Sequence, residues 1–158
     1  MKKTVWSEIV IAAPPADVWK VLTNTGRYPE WNPFIVRLEG RLELGRRLDA
    51  ALALKSDRPL RFRPIVVRVI DERELRWIGH AGVAGLFDGE HSLALEPEEG
   101  GRTRFVHHEI FRGILVPFVW PFLKHRIERG FSAMNEALRR RVENEARGGT
   151  MIRDERPQ

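Results

Sequence analysis

From about Val116 to Glu145 the apolar residues Trp120, Leu123, Ile127, Phe131, Met134, Leu138 and Val142 recur at spacings of three and four. That spacing predicts one long helix with a single apolar stripe. Its opposite side carries Lys124, Arg126, Glu128, Arg129, Glu136, Arg139 and Arg140. Such a helix gains most of its stability from whatever covers the stripe, so the rest of the chain has to supply one apolar surface of matching length.

Upstream the period is two. Val5, Ser7, Ile9 and Ile11 share one side of a first strand. Pro14-Pro15 then opens a short helix with Asp17 in its first turn and Val18, Trp19 and Leu22 on its apolar face; Asn24-Thr25-Gly26 stops it. A second helical turn over Arg27 to Trp31 ends at Asn32-Pro33. Alternation comes next: Phe34, Val36 and Leu38 on one strand face, then Leu48, Ala50, Leu52 and Leu54 on another. Asp57-Arg58-Pro59 reads as a turn, and Leu60 to Ile70 as strand with an unclear register, because Pro64 marks a bulge or an edge. Leu75, Trp77 and Gly79 precede a glycine-rich loop from Gly79 to Gly89. His91, Leu93 and Leu95 form the next inward face, and Glu98-Glu99-Gly100-Gly101 a hairpin turn. Phe105, His107, Glu109 and Phe111 share one face of the last strand. Hairpins between successive strands predict a curved antiparallel sheet, in an α+β chain of about seven strands with two short helices after the first.

The length of 158 residues and a hydrophobic fraction of 42% suit one globular domain over 1–146, with 147–158 expected to be a disordered tail. No cysteine is present, which excludes disulfides, thiolate nucleophiles and Cys-ligated zinc. Met1-Lys2-Lys3 is not read as the start of a secretion signal, since Ser7, Glu8 and Pro14-Pro15 interrupt the apolar stretch beside it. The longest apolar run, Ile114 to Leu123, falls short of the roughly 20 residues of a membrane span. The net charge of +5 comes from scattered basic residues, many with acidic neighbours, so neither nucleic acid nor integral membrane association is expected. The expected setting is the cytoplasm, as monomer or dimer.

The segment Ala13-Pro14-Pro15-Ala16-Asp17-Val18-Trp19-Lys20-Val21-Leu22-Thr23, together with Arg27-Tyr28-Pro29-Glu30-Trp31-Asn32-Pro33-Phe34, resembles the opening of the SRPBCC superfamily. This helix-grip group includes START lipid-transfer domains, Bet v 1-like allergens and polyketide cyclases. Glu74-Leu75-Arg76-Trp77, the Thr103 strand and Phe111-Arg112-Gly113 fit its polyketide cyclase/dehydrase-like branch, and the resemblance spans roughly Val5 to Val142. It implies a helix-grip fold and a ligand cavity between sheet and C-terminal helix. One such fold serves many functions.

With that cavity as the frame, the inward faces place Phe34, Leu52, Trp77, His91, Leu93, Phe105, His107, Glu109 and Phe111 along its walls, with Leu123, Ile127 and Met134 from the helix. Trp31 is expected at the rim and Phe87 in the glycine-rich loop, which is read as a gate. Trp120 is expected to cap the mouth or to stand out as an exposed wedge. His107 and Glu109 lie on the same face, with His91 on the paired strand; they are candidates for acid/base chemistry, or simply satisfy one another. Adjacent His107 and His108 point to opposite faces, so no metal site is expected, and no cofactor. Three uses remain open: binding of an apolar lipid- or polyketide-like molecule, a cyclase or dehydratase using His107 and Glu109, or a partner-binding module with a filled core.

Overall fold

The computed structural model describes residues 1–54 and 58–154, with side chains to residue 149. Ser56 and the start of the turn expected at Asp57-Arg58-Pro59 lie outside the described residues, as does the end of the tail. The elements in chain order are β1 (Lys2–Ile11), α1 (Pro15–Thr23), a 3-10 turn (Thr25–Arg27), α2 (Tyr28–Trp31), β2 (Ile35–Glu39), β3 (Asp49–Leu52), β4 (Leu60–Phe62), β5 (Ile65–Ile70), β6 (Glu74–His80), β7 (Asp88–Glu98), β8 (Arg102–Arg112) and α3 (Val116–Asp154). Every strand pairing is antiparallel, in one sheet of order β1-β8-β7-β6-β5 and a smaller one of order β2-β3-β4. The expected α+β helix-grip architecture is present, with eight strands among the described residues rather than about seven.

The additional strand comes from Pro64. The stretch read from sequence as one strand over Leu60 to Ile70 splits there, β4 joining the small sheet and β5 the large one. Proline has no N–H to give a ladder, but its carbonyl accepts from the Leu48 N–H at 2.8 Å. The Gly45 N–H to Val66 carbonyl bond (2.8 Å) and the Val66 N–H to Arg46 carbonyl bond (2.9 Å) complete the seam that holds the two sheets together.

Local chemistry accounts for the entry into the small sheet. Asn32 ends α2, and its Oδ1 accepts from the N–H groups of Phe34 and Ile35 at 3.0 and 2.9 Å. These bonds turn the chain into β2. The inward face there is Phe34, Ile35 and Leu38, with Val36 only half-buried. The strict alternation read over Phe34, Val36 and Leu38 fails because the pairing of β2 with β3 shifts between Ile35 and Arg37, and a bulge re-aims the side chains on either side of it.

Helix α3 crosses the concave face. Ile127, Phe131, Met134, Leu138 and Val142 are buried, while Trp120 and Leu123 pack at the edge of the core. The helix continues to Asp154, past the end read at Glu145 and into the stretch expected to be disordered. Extending an existing helix fixes one residue per new hydrogen bond and needs no second nucleus. Near its middle, Gly130 lies against the Phe34 ring so closely that a Cβ would come within 2.2 Å of Phe34 Cδ2. Phe34 is fully buried and cannot retreat. Alanine favours an isolated helix over glycine by about 1 kcal/mol, but overpacking a core costs about 1–3 kcal/mol. Gly130→Ala is therefore expected to lower stability despite the better helix former. Urea denaturation checks this; a variant as stable as the parent would show that Phe34 repacks freely.

Candidate functional site

Between the two sheets and the first half of α3 lies a cavity of about 320 Å³, at the small end of the volumes found for ligand pockets. Phe34, Leu52, Trp77, Phe87, Glu109, Phe111, Leu123 and Ile127, all named from the sequence, line it. The others named do not. His91, Leu93, Phe105, His107 and Met134 are buried in the core outside its lining. Trp31 packs edge-on against Tyr28, with ring centroids 5.1 Å apart. Phe131 and its neighbours one turn on fill the centre of the fold, so a face that is inward by alternation is only partly a cavity wall.

The lining also includes Leu54, Leu60, Arg61 and Phe62, which the sequence reading did not place there, and Gly79, His80, Ala81, Gly82 and Gly89 from the glycine-rich segment read as a gate. Leu60 to Phe62 belong to the stretch whose register Pro64 obscures. Gly79 has a steric role: a Cβ there would sit 2.9 Å from Phe62 Cδ2, so its absence admits the Phe62 ring. An isolated glycine in a strand pattern is the signal for such close approach.

The glycine-rich segment is shorter than expected, because β6 runs to His80 and β7 begins at Asp88. The intervening loop covers one side of the cavity through Ala81, Gly82 and Phe87 and is tied at both ends. Asp88 Oδ1 meets His80 Nδ1 at 2.7 Å, and Asp88 Oδ2 accepts from the Gly85 N–H at 2.9 Å. The N–H groups of Ile114 and Leu115 donate to the carbonyls of Gly85 and Leu86 at 3.1 and 2.9 Å. Trp120 is half-buried with its ring 5.5 Å from Phe111, so it is not an exposed wedge. The exposed aromatics of that turn are Phe118 and Phe122, at 71% and 76%.

Behind the cavity runs a line of buried polar side chains. Asn135 of α3 donates from Nδ2 to Ser7 Oγ of β1 (3.0 Å), and its Oδ1 lies 2.9 Å from His107 Nδ1. His107 Nε2 is 3.0 Å from His91 Nε2, and His91 Nδ1 is 3.3 Å from Glu109 Oε2. Antiparallel register places these groups together, since His91 sits opposite Glu109 and Ser7 opposite His107. The rings are clamped: Trp77 stacks on His91 at 4.8 Å and Phe131 on His107 at 3.6 Å. His108, on the other face, stacks on Trp6 at 5.4 Å. The line ends at the cavity, where Glu109 keeps 12% of its side-chain exposure. The sequence pattern marks Ser7 only as an inward strand residue and does not single out Asn135. A polar residue within one turn of Phe131, Met134 and Leu138 is the signal that identifies it. Among the described residues no group of three or more acidic or histidine side chains is arranged to hold a metal ion.

Burial governs the charges here. It pushes the Glu109 carboxyl up to about 8. Burial, with His108 second, pushes His91 down to about 3. Burial and then His91 hold His107 well below the imidazole range. The line is therefore neutral near neutral pH.

A curved antiparallel sheet closed by a long helix defines the helix-grip class of α+β fold. The chain belongs to the polyketide cyclase / dehydrase and lipid transport family, whose model matches residues 2–143. No curated protein matches it in sequence. Among solved structures it is similar to the Zhui aromatase/cyclase of Streptomyces sp. R1128, with a TM-score of 0.76 and 15% identity over 92% of this chain and 96% of that one. A START superfamily protein of Mycobacterium smegmatis gives 0.71 and 20%, over 89% and 97%. A point mutant of norcoclaurine synthase from Thalictrum flavum gives 0.72 and 16%, over 92% and 97%. At these identities the likeness shows the fold.

The shifted groups make a prediction about stability. Glu109 is raised, so its contribution is complete below its ordinary value of 4.5 and is lost as pH climbs to about 8. His91 is lowered, so its contribution is complete above its ordinary value of 6.5 and is lost as pH falls toward about 3. His107 adds to the same acid limb. The three groups together place a maximum near pH 6.5, with a decline from there to about pH 8 that belongs to Glu109 alone. Urea midpoints measured across pH should show that decline in the parent and not in Glu109→Gln. An identical decline in both would mean that Glu109 is ionised in the native state.

Proposed function

We propose that this chain binds an apolar small molecule, lipid- or polyketide-like, in the cavity between its sheets and α3. The observation that carries the reading is the composition of that cavity: mostly aliphatic and aromatic walls, with the buried Glu109 carboxyl group and the side chains of Arg61 and His80 among them. An empty space of this kind costs packing energy, which a ligand of matching shape restores. No helix of the described residues is long and apolar enough to cross a membrane. The setting we propose for the domain is the cytoplasm.

A second reading, a cyclase or dehydratase, is favoured by one observation. The His91–Glu109 pair shares a proton at the edge of an apolar cavity, and a carboxyl group kept neutral near neutral pH is suited to proton transfer. Glu109→Gln separates the two uses. A carrier keeps its affinity and has no turnover to lose, whereas an acid/base enzyme keeps affinity and loses orders of magnitude in rate.

Native mass spectrometry of freshly purified protein, beside a denatured control, tests the leading reading. The expected result is an added mass that disappears on denaturation. A ligand supplied at a hundred times its Kd should stabilise the native state by about 2.7 kcal/mol. Leu123→Trp, which fills the cavity from α3, should abolish both effects while remaining folded. No added mass and no thermal shift across fatty acids, sterols and aromatic polyketides would leave the partner-binding module instead.

A further inference from the structure

The direction of the buried hydrogen bonds determines what the cavity presents to its occupant. Asn135 spends its Nδ2 on Ser7 Oγ and turns Oδ1 to His107 Nδ1, so His107 carries its hydrogen on Nδ1. A neutral His107 then has a bare Nε2, and the bond at 3.0 Å requires His91 Nε2 to donate. One proton remains between His91 Nδ1 and Glu109 Oε2. Whichever of those two atoms holds it, Oε1 is an acceptor with no hydrogen to give.

Oε1 takes no hydrogen bond from any described residue. It lies over Gly89, where a Cβ would come within 2.6 Å of it, so this glycine leaves the oxygen its place in the wall. The cavity wall to which it belongs is mostly apolar, with Trp77, Phe87, Phe111 and Ile127 beside the polar Arg61 and His80, and no side-chain donor of that lining is bonded to Oε1. An acceptor held in apolar surroundings binds a donor well and repels another acceptor.

We propose that the occupant is an apolar molecule bearing a hydroxyl group, phenolic or alcoholic, at its buried end, and that this hydroxyl donates to Glu109 Oε1. The inference rests on the reading of the cavity as a ligand site and names the ligand class for it. Ethers and ketones of the same shape lack the donor, and carboxylates add a charge beside a buried acceptor.

The test compares molecules with one aromatic body: beta-naphthol, its methyl ether, naphthalene and the matching naphthoate, near neutral pH. Their Kd values are read by displacement of Nile red, a neutral apolar dye. Beta-naphthol should bind at least about tenfold tighter than the other three. Glu109→Gln should keep the preference, because its amide N–H can donate to His91 Nδ1 while its oxygen still accepts. Glu109→Leu should remove the preference while still binding naphthalene, which also shows that the variant is folded. A parent that binds the ether or the naphthoate as tightly as the naphthol overturns the proposal but leaves the cavity reading standing. A reversal of the preference in Glu109→Gln also overturns it, because the hydrogen bonds would then run in the opposite direction. A parent that binds neither Nile red nor any of the four overturns the cavity reading itself, and this proposal with it.

Discussion

The stacking of Phe131 on His107 is the contact on which the rest of the structure depends. It joins the middle of α3 to the middle of β8, and the Asn135 carboxamide, one helical turn further on, reaches the same imidazole. An aromatic face and a hydrogen bond acting on one ring fix both the height and the rotation of the helix over the sheet. Gly130 makes this seat possible by letting Phe34 pack against the helix backbone. Phe34 in turn lies edge-on to Phe131, with centroids 5.6 Å apart. The seat thus gathers residues from α3, β8 and the turn that leads into β2.

From that seat the two halves of the helix meet different surroundings. Toward its C-terminal half, Met134, Leu138 and Val142 are buried, and α1 contributes Val18, Val21 and Leu22 to the same core. Toward its N-terminal half, Leu123 and Ile127 line the cavity together with strand residues, and no second helix of the described residues contributes to that lining. The position of α1 therefore accounts for the cavity. A single helix cannot close both ends of a curved sheet, and the short helices after β1 cover only one.

The buried polar line is a liability that the fold turns into order. Two neutral imidazoles, a carboxamide and a carboxyl group in a core would each be costly alone. Linked in series, each satisfies the next, and the directions are coupled along the whole line. The unmatched acceptor falls at the end that meets the cavity. That coupling lets β1, with a single serine, influence what a side chain on the neighbouring strand presents to a ligand.

The sequence by itself determined the elements and the class of fold. The helical stripe from Trp120 to Val142, the alternation over Phe105 to Phe111 and the proline-opened helix are local periodicities, and local sterics enforce them wherever the chain lies. It also placed His107 and Glu109 on one face with His91 beside them, because antiparallel pairing after a short hairpin leaves little freedom of register. Only the tertiary structure decided that His91 and His107 belong to the core while Glu109 opens on the cavity, that Asn135 and Ser7 complete the line, and that Pro64 divides one apparent strand between two sheets. Those outcomes depend on distances between segments far apart in the chain, on which side chains fill space and which leave it empty. Periodicity tells which way a residue points; what it meets there is decided by packing.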